Sequence, residues 1–255
     1  LLLSSELLPG QYFGSFADIL VHDIGTIRGL FYVRSPLSGF RSRFQQGLRG
    51  GQFHKPIMAV RQKIMQAQEY FPIPLAVRKY HERSEGGKWD VVDDFWSDVL
   101  ALHHRPIRAD TLLNEADPAE ITIIFAEMTE RLSQLSFDQR TEFYGWCRNQ
   151  FNAMIDIRHN TTRFDFSEAV SRKILAASSL DRAWLKERYG IEWDGLTSAE
   201  TCNEDEEIIH SAEHLRREVT FSPEVCDAIC AHFLERMAEG LPRSVDARAV
   251  RNALL

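Results

Sequence analysis

The amino-acid sequence predicts an α/β protein with parallel strands and a mostly helical C-terminal portion. Three observations carry that prediction. Short apolar runs at Leu1–Ser4, Leu30–Val33 and Leu75–Val77 are bounded by Gly, Pro or charge, as buried strands are. The segments between them show helical spacing, which suits crossover helices joining parallel strands. From Pro118 onward the 3.6-residue period takes over almost completely.

The first run, within LLLSSELLPG, begins without an initiator Met and reads as a strand already in progress. A truncated N-terminus is therefore expected. No basic residue precedes the run and polar residues interrupt it, so it has the pattern of neither a signal peptide nor an anchor. After Pro36, the residues Leu37, Phe40, Phe44 and Leu48 fall on one helical face. Pro36 suits the first turn of that helix, and Gly50-Gly51 stops it. Further helices are expected from about Pro56 to Glu69 and from Trp89 to Leu102, the latter with Val92, Phe95, Trp96, Val99 and Leu102 on one side. Beyond them, helices are expected near Pro118–Leu132, Phe137–Phe151, Ser167–Tyr189, Ala199–Val219 and Pro223–Glu239. The character changes near Ile191–Thr197, ahead of the acidic run Glu204–Glu207. This divides an expected α/β domain, residues 1–195, from a helical extension, residues 196–255.

Composition narrows the function classes. With 44% hydrophobic and 26% charged residues, the chain reads as a soluble, cytoplasmic-type protein. No stretch approaches the roughly 18 consecutive apolar residues of a membrane span. Four cysteines, Cys147, Cys202, Cys226 and Cys230, are too few and too irregular for a disulfide framework, so reduced thiols are expected. A net charge of −7 argues against a general nucleic-acid binder. Its distribution is uneven. Between Ile24 and Gln68 lie eight basic residues (Arg28, Arg34, Arg41, Arg43, Arg49, Lys55, Arg61 and Lys63) and no acidic one. Such an island is expected to raise a local positive potential for an anionic ligand.

Within the island, Leu30–Phe44 reads as a strand ending in Arg34, a turn at Ser35-Pro36 and a helix. In open α/β sheets, ligands sit beyond the carboxyl ends of the strands, where helix N-termini offer unpaired N–H groups to phosphate. Arg34 would bring five donors for bidentate capture of phosphate oxygens. Ser42, eight residues on, would add one neutral donor.

These same residues, Val33 to Phe44, resemble the 3′-phosphate-binding segment of the P-loop sulfotransferases. In that family a strand ends in Arg, Pro follows shortly, Ser comes after seven intervening residues, and an aromatic follows. Arg34, Pro36, Ser42 and Phe44 match. The resemblance extends in patches over roughly the first 195 residues. It is closest to bacterial sulfotransferase-like proteins of polysaccharide and envelope gene neighbourhoods. LLLSSELL, FQQGLRGG, Pro74–Leu102 and Ala169–Asp194 each resemble one of their segments. The resemblance implies a P-loop NTPase-like three-layer sheet. It also implies 3′-phosphoadenylyl sulfate (PAPS) as donor, with Arg34 and Ser42 on its 3′-phosphate, and a carbohydrate or other hydroxyl acceptor.

The family's first strand and phosphate loop have no counterpart among these residues, which contain no Gly-rich Lys-Ser/Thr loop. The chain is expected to lack them by truncation, the alternative being loss of catalysis, and, as it stands, not to transfer a sulfuryl group. Glu6, directly after a strand end, is the candidate catalytic base, ahead of His22. The chemistry calls for no metal at this site.

Other motifs are set aside. His210-Ser-Ala-Glu213-His214 has the H-x-x-E-H spacing of inverted zinc peptidases. Both histidines, however, are expected to point away from the apolar stripe Ile208, Ala212, Leu215 and Val219, and 41 residues leave little room for a third ligand. A four-ligand zinc site with Cys226 and Cys230 gives way to buried structural thiols beside Val225, Ile229, Phe233 and Met237. Gly86-Gly87-Lys88 reads as a plain turn, His103-His104 as a loop, and Trp89 and Trp96 as core. Two rival functions stay open. One is a small-molecule kinase or other P-loop NTPase, although no visible strand ends in the Asp that Mg²⁺ requires. The other is a non-enzymatic anion- or oligonucleotide-binding module stacking bases on Phe40, Phe44 and Phe53, two of which look committed to the core.

Overall fold

A computed structural model of the chain describes residues 29–49, 52–53, 60–70, 75–80, 94–95, 116–193, 208–242, 245, 248 and 250. These residues are mostly helical, with one two-stranded parallel sheet. In chain order the elements are β1 (Gly29–Val33), α1 (Pro36–Arg49), α2 (Val60–Tyr70), β2 (Leu75–Lys79), α3 (Ala119–Arg131), α4 (Phe137–Ala153), α5 (Ile155–Arg158), α6 (Glu168–Ala177), α7 (Ser179–Tyr189), α8 (Ala212–Glu218) and α9 (Pro223–Glu239). The expected strand at Leu1–Ser4 and all but two residues of the expected Trp89–Leu102 helix lie outside the described residues.

The chain divides into two compact units. The first holds β1, α2, β2 and α7. Its strands pair in register from Gly29↔Leu75 to Val33↔Lys79, and α2 lies between them in the chain, as a parallel connection requires. Val33, Ile64, Ala67, Leu75, Leu185 and Ile191 form its buried core. Asp181 of α7 caps α2 from outside, its Oδ2 accepting the Val60 N–H at 2.8 Å and the Arg61 N–H at 3.4 Å. Two of the four orphan donors of that helix are thereby satisfied. Gly190 ends α7 at φ 65°, a left-handed conformation that glycine adopts without strain.

The second unit holds α1 from Leu37 onward, α3 to α6, α8 and α9. Its centre is α3, whose residues Ile121, Ile123, Ile124, Phe125, Ala126 and Met128 are all buried. Only Glu130 and Arg131 at its C-terminal end are exposed, so protein surrounds most of its circumference. Against this core α1 contributes Phe40, Phe44 and Leu48, each at most 1% exposed. Phe44 stacks on Phe164 at 6.2 Å between centroids, and Phe166 meets both Phe40 and Phe44. The expectation of a core face on α1 is thus met, and two of the three rings in the oligonucleotide reading are covered. Helix α4 begins with a capping box, Ser136 and Gln139 exchanging hydrogen bonds, and α9 begins with Pro223 behind a Ser222 cap.

Two expected helices differ in the structure. Ser167–Tyr189 is not continuous: Ser178, at φ −93° and ψ 6°, breaks it into α6 and α7. Serine is a poor interior residue because its hydroxyl competes for backbone groups, and here the break passes the chain from one unit to the other. The Ala199–Val219 helix is, among the described residues, only Ala212–Glu218. Ser211 accepts the His214 N–H at 3.0 Å and Glu130 accepts the Ala212 N–H at 2.8 Å, which fixes the start one turn before Leu215. Val219 then becomes extended and bridges Phe166 in antiparallel fashion.

Candidate anion-binding strand end

Arg34 directly follows β1 and Tyr80 directly follows β2, so the parallel register carries the two residues to the same carboxyl edge of the sheet. The Tyr80 N–H extends the ladder by one bond, donating to the Val33 carbonyl at 2.8 Å. The Arg34 guanidinium carbon lies 4.7 Å from the Tyr80 ring centroid, within cation–π range. Arg34 is exposed, and no carboxylate among the described residues pairs with it. The neighbouring cation is held differently. Asp94 accepts from Arg78 at 2.6 Å and from the Tyr32 hydroxyl at 2.5 Å, and Tyr32 and Arg78 are themselves paired across the strands. A carboxylate thus offsets Arg78, while the Arg34 charge is left facing solvent on an aromatic platform.

Ser42, the other residue of the motif, is half-buried on α1 in the second unit, whereas Arg34 belongs to the first. The remaining arginines of α1 have partners within the second unit. Arg41 reaches the Phe164 carbonyl at 3.5 Å and Asp165 at 3.6 Å. Arg43 bonds the Gly39 carbonyl, and burial lowers its pKa. Arg49 is locked onto Asp117, which Arg148 also contacts at 3.2 Å. The acid-free island therefore receives counter-charges for Arg41 and Arg49 from distant segments, and Arg34, Arg61 and Lys63 are its exposed cations among the described residues. Arg28 and Lys55 lie outside the described residues, as do Glu6, His22, Gly86–Lys88, Trp89, Trp96, His103-His104 and Cys202.

The motifs set aside are placed as follows. Cys147 and Cys226 are buried and Cys230 is half-buried, all three as free thiols. Burial pushes the Cys226 thiol up to about 12 and the Cys230 thiol to about 11. His210 is exposed and His214 half-buried, their Nδ1 atoms 3.0 Å apart. Among the described residues no group of three or more His, Cys, Asp and Glu side chains could hold a metal ion. Nor is any described helix long and apolar enough to cross a membrane.

Tyr80 and Asp94 were not singled out by sequence reasoning. Tyr80 had a readable signal, since it directly follows the basic pair Arg78-Lys79 that closes the apolar run Leu75–Val77. Asp94, inside an expected helix, had none. No family model matches the chain, and no curated protein or solved structure matches it either.

Proposed function

We propose that the protein is a sulfotransferase-like enzyme of the P-loop fold, transferring a sulfuryl group from PAPS to a carbohydrate hydroxyl. The observation that carries the reading is the placement of Arg34. It ends a strand of a parallel pair and stands exposed at the carboxyl edge, with a Pro-led helix directly after it. This is where open α/β sheets take anionic ligands, and Arg is the residue whose planar fork matches phosphate. The Val33–Phe44 motif adds the selectivity. By its resemblance Arg34 and Ser42 take the 3′-phosphate, which separates PAPS from ordinary nucleotides.

In the proposed reaction the acceptor hydroxyl oxygen attacks sulfur in line, and the bond from sulfur to the 5′-phosphate oxygen breaks. The hydroxyl proton passes to a carboxylate, for which Glu6 is the candidate, and 3′,5′-adenosine bisphosphate (PAP) leaves. The step needs no metal at this site. A cytoplasmic location goes with this reading. The burial of Phe40 and Phe44 argues against the oligonucleotide alternative, because it removes two of the stacking surfaces on which that alternative depends.

The test is a titration of the full chain with PAP, with 5′-AMP as control. Marked preference for the bisphosphate, lost in Arg34→Ala and reduced in Ser42→Ala, is the expected result. Equal binding of both nucleotides, or none, would remove the donor assignment.

A further inference from the structure

A second site stands apart from the donor motif, on the segment that joins α8 to what precedes it. His210 lies just before the Ser211 cap and His214 lies in the first turn of α8. The cap sets their relation. Because Ser211 and Glu130 hold the helix start, the two imidazoles face each other with ring centroids 4.4 Å apart and Nδ1 to Nδ1 at 3.0 Å. Two imidazole nitrogens bound to one ion at about 2.0–2.1 Å, with near-octahedral or tetrahedral angles, stand about 2.9–3.4 Å apart. The pair already has the bite of a chelate.

A second observation points the same way. A metal-bound imidazole characteristically turns its other ring nitrogen toward a carboxylate. Here the His214 Nε2 faces Glu218 Oε1 at 3.9 Å. Glu218 is itself fixed, since the Ser167 hydroxyl donates to its other oxygen and the Ser167 N–H donates to its backbone carbonyl at 2.7 Å. Ser167 thus orients Glu218, whose Oε1 stands behind the ring at a distance beyond a direct hydrogen bond. Burial, and next to it the neighbouring His210, lowers the pKa of His214.

We propose that His210 and His214 form a two-histidine chelate for a divalent first-row transition ion of the Ni²⁺, Cu²⁺ or Zn²⁺ class, water filling the other positions. Imidazole ligands favour these ions. In the ion-free chain one Nδ1–H donates to the other Nδ1. On binding, the donor ring's proton moves to its own Nε2 and both Nδ1 lone pairs turn to the ion. Glu213 is paired with Arg217 on the outer face and is not one of the proposed ligands. Lys173 and Arg217 add positive charge near His214 and oppose Glu218.

The experiment is calorimetric titration of the untagged, reduced full chain with Ni²⁺ alone. One ion per chain is expected. His210→Asn and His214→Asn should each weaken binding at least tenfold, and Glu218→Gln about tenfold, as losses of supporting carboxylates do. Substoichiometric Ni²⁺ should broaden the His210 and His214 ring resonances before those of other histidines, which needs no variant to fold. Absence of binding, an unchanged affinity in the double variant, or a thiolate charge-transfer band surviving that substitution would each overturn the proposal.

Discussion

Arg49 donates two hydrogen bonds, of 3.0 and 2.6 Å, to a single oxygen of Asp117, and Arg148 approaches the other oxygen at 3.2 Å. Asp117 is 5% exposed, and it lies two residues before the first turn of α3. The carboxylate therefore joins α1 to α4 across the end of the central helix. Its own backbone carbonyl adds to this, accepting from Gln45 Nε2 at 2.6 Å.

From this clamp follows the first prediction. Asp117→Asn keeps the shape and removes the charge, leaving two guanidinium groups that reach water only at their edges. Breaking a buried ion pair on one side costs about 3–5 kcal/mol, and partial solvation of both arginines places this case near 3 kcal/mol. Urea unfolding of the full chain measures it. A loss below about 1 kcal/mol would mean that water already serves the arginines.

Glu120 offers a second, sharper contrast. It is fully buried on α3, yet its Oε1 accepts the Ser222 N–H at 2.9 Å and its carboxylate accepts the Thr162 N–H at 3.0 Å. It thereby holds two loops to the helix. Glu120→Ala leaves two backbone donors unpaired, at about 1–3 kcal/mol each. Glu120→Gln keeps one oxygen that can receive both, so it should cost less than half as much. If the two variants unfold at the same urea concentration, the carboxylate is not what holds the loops.

The thiols supply a pH prediction. The pKa of Cys226 is raised to about 12 and that of Cys230 to about 11, both chiefly by burial, against a usual value near 8.5. A raised thiol pKa contributes stability that is complete below the unfolded value and is lost as pH climbs toward the folded one. Stability should therefore fall between about pH 9 and 12, beyond what surface lysines account for, and less so in Cys226→Ala. At pH 8, alkylation of native Cys226 should be at least about a hundredfold slower than in denaturant, because only the thiolate reacts. Mass mapping of the modified peptides reads this directly. Equal rates would place Cys226 at the surface.

How much of this was legible beforehand depends on the range over which each feature is decided. The strand at Leu30–Val33, the helix behind Pro36 and the helix at Pro223–Glu239 are set by local signals, and the structure has all three. The breaks at Ser178 and Ser211 were missed, because periodicity runs through both residues and only tertiary partners such as Glu130 select the ends. The basic island was legible as charge but not as potential. Its neutralising partners are remote, Asp117 being 68 residues from Arg49 and Asp165 lying on a loop beyond α5. Within the site, Arg34 could be placed at the strand end from the sequence, whereas its platform Tyr80 depends on the β1–β2 register.

That platform gives the last prediction. The Arg34 guanidinium carbon stands over the Tyr80 ring at 4.7 Å from its centroid, a contact that restricts the side chain. If Arg34 is the 3′-phosphate residue, Tyr80→Leu should weaken PAP binding by about two- to fivefold, the range that 0.5–1 kcal/mol of exposed cation–π contact represents. Tyr80→Phe should leave it unchanged, since the face is retained. The 5′-AMP control should be insensitive to both substitutions, because it lacks the 3′-phosphate. A Tyr80→Leu chain that binds PAP as well as the native chain, while Arg34→Ala does not, would show that Arg34 is positioned by the backbone alone. A Tyr80→Phe chain as weak as Tyr80→Leu would instead assign the effect to the hydroxyl.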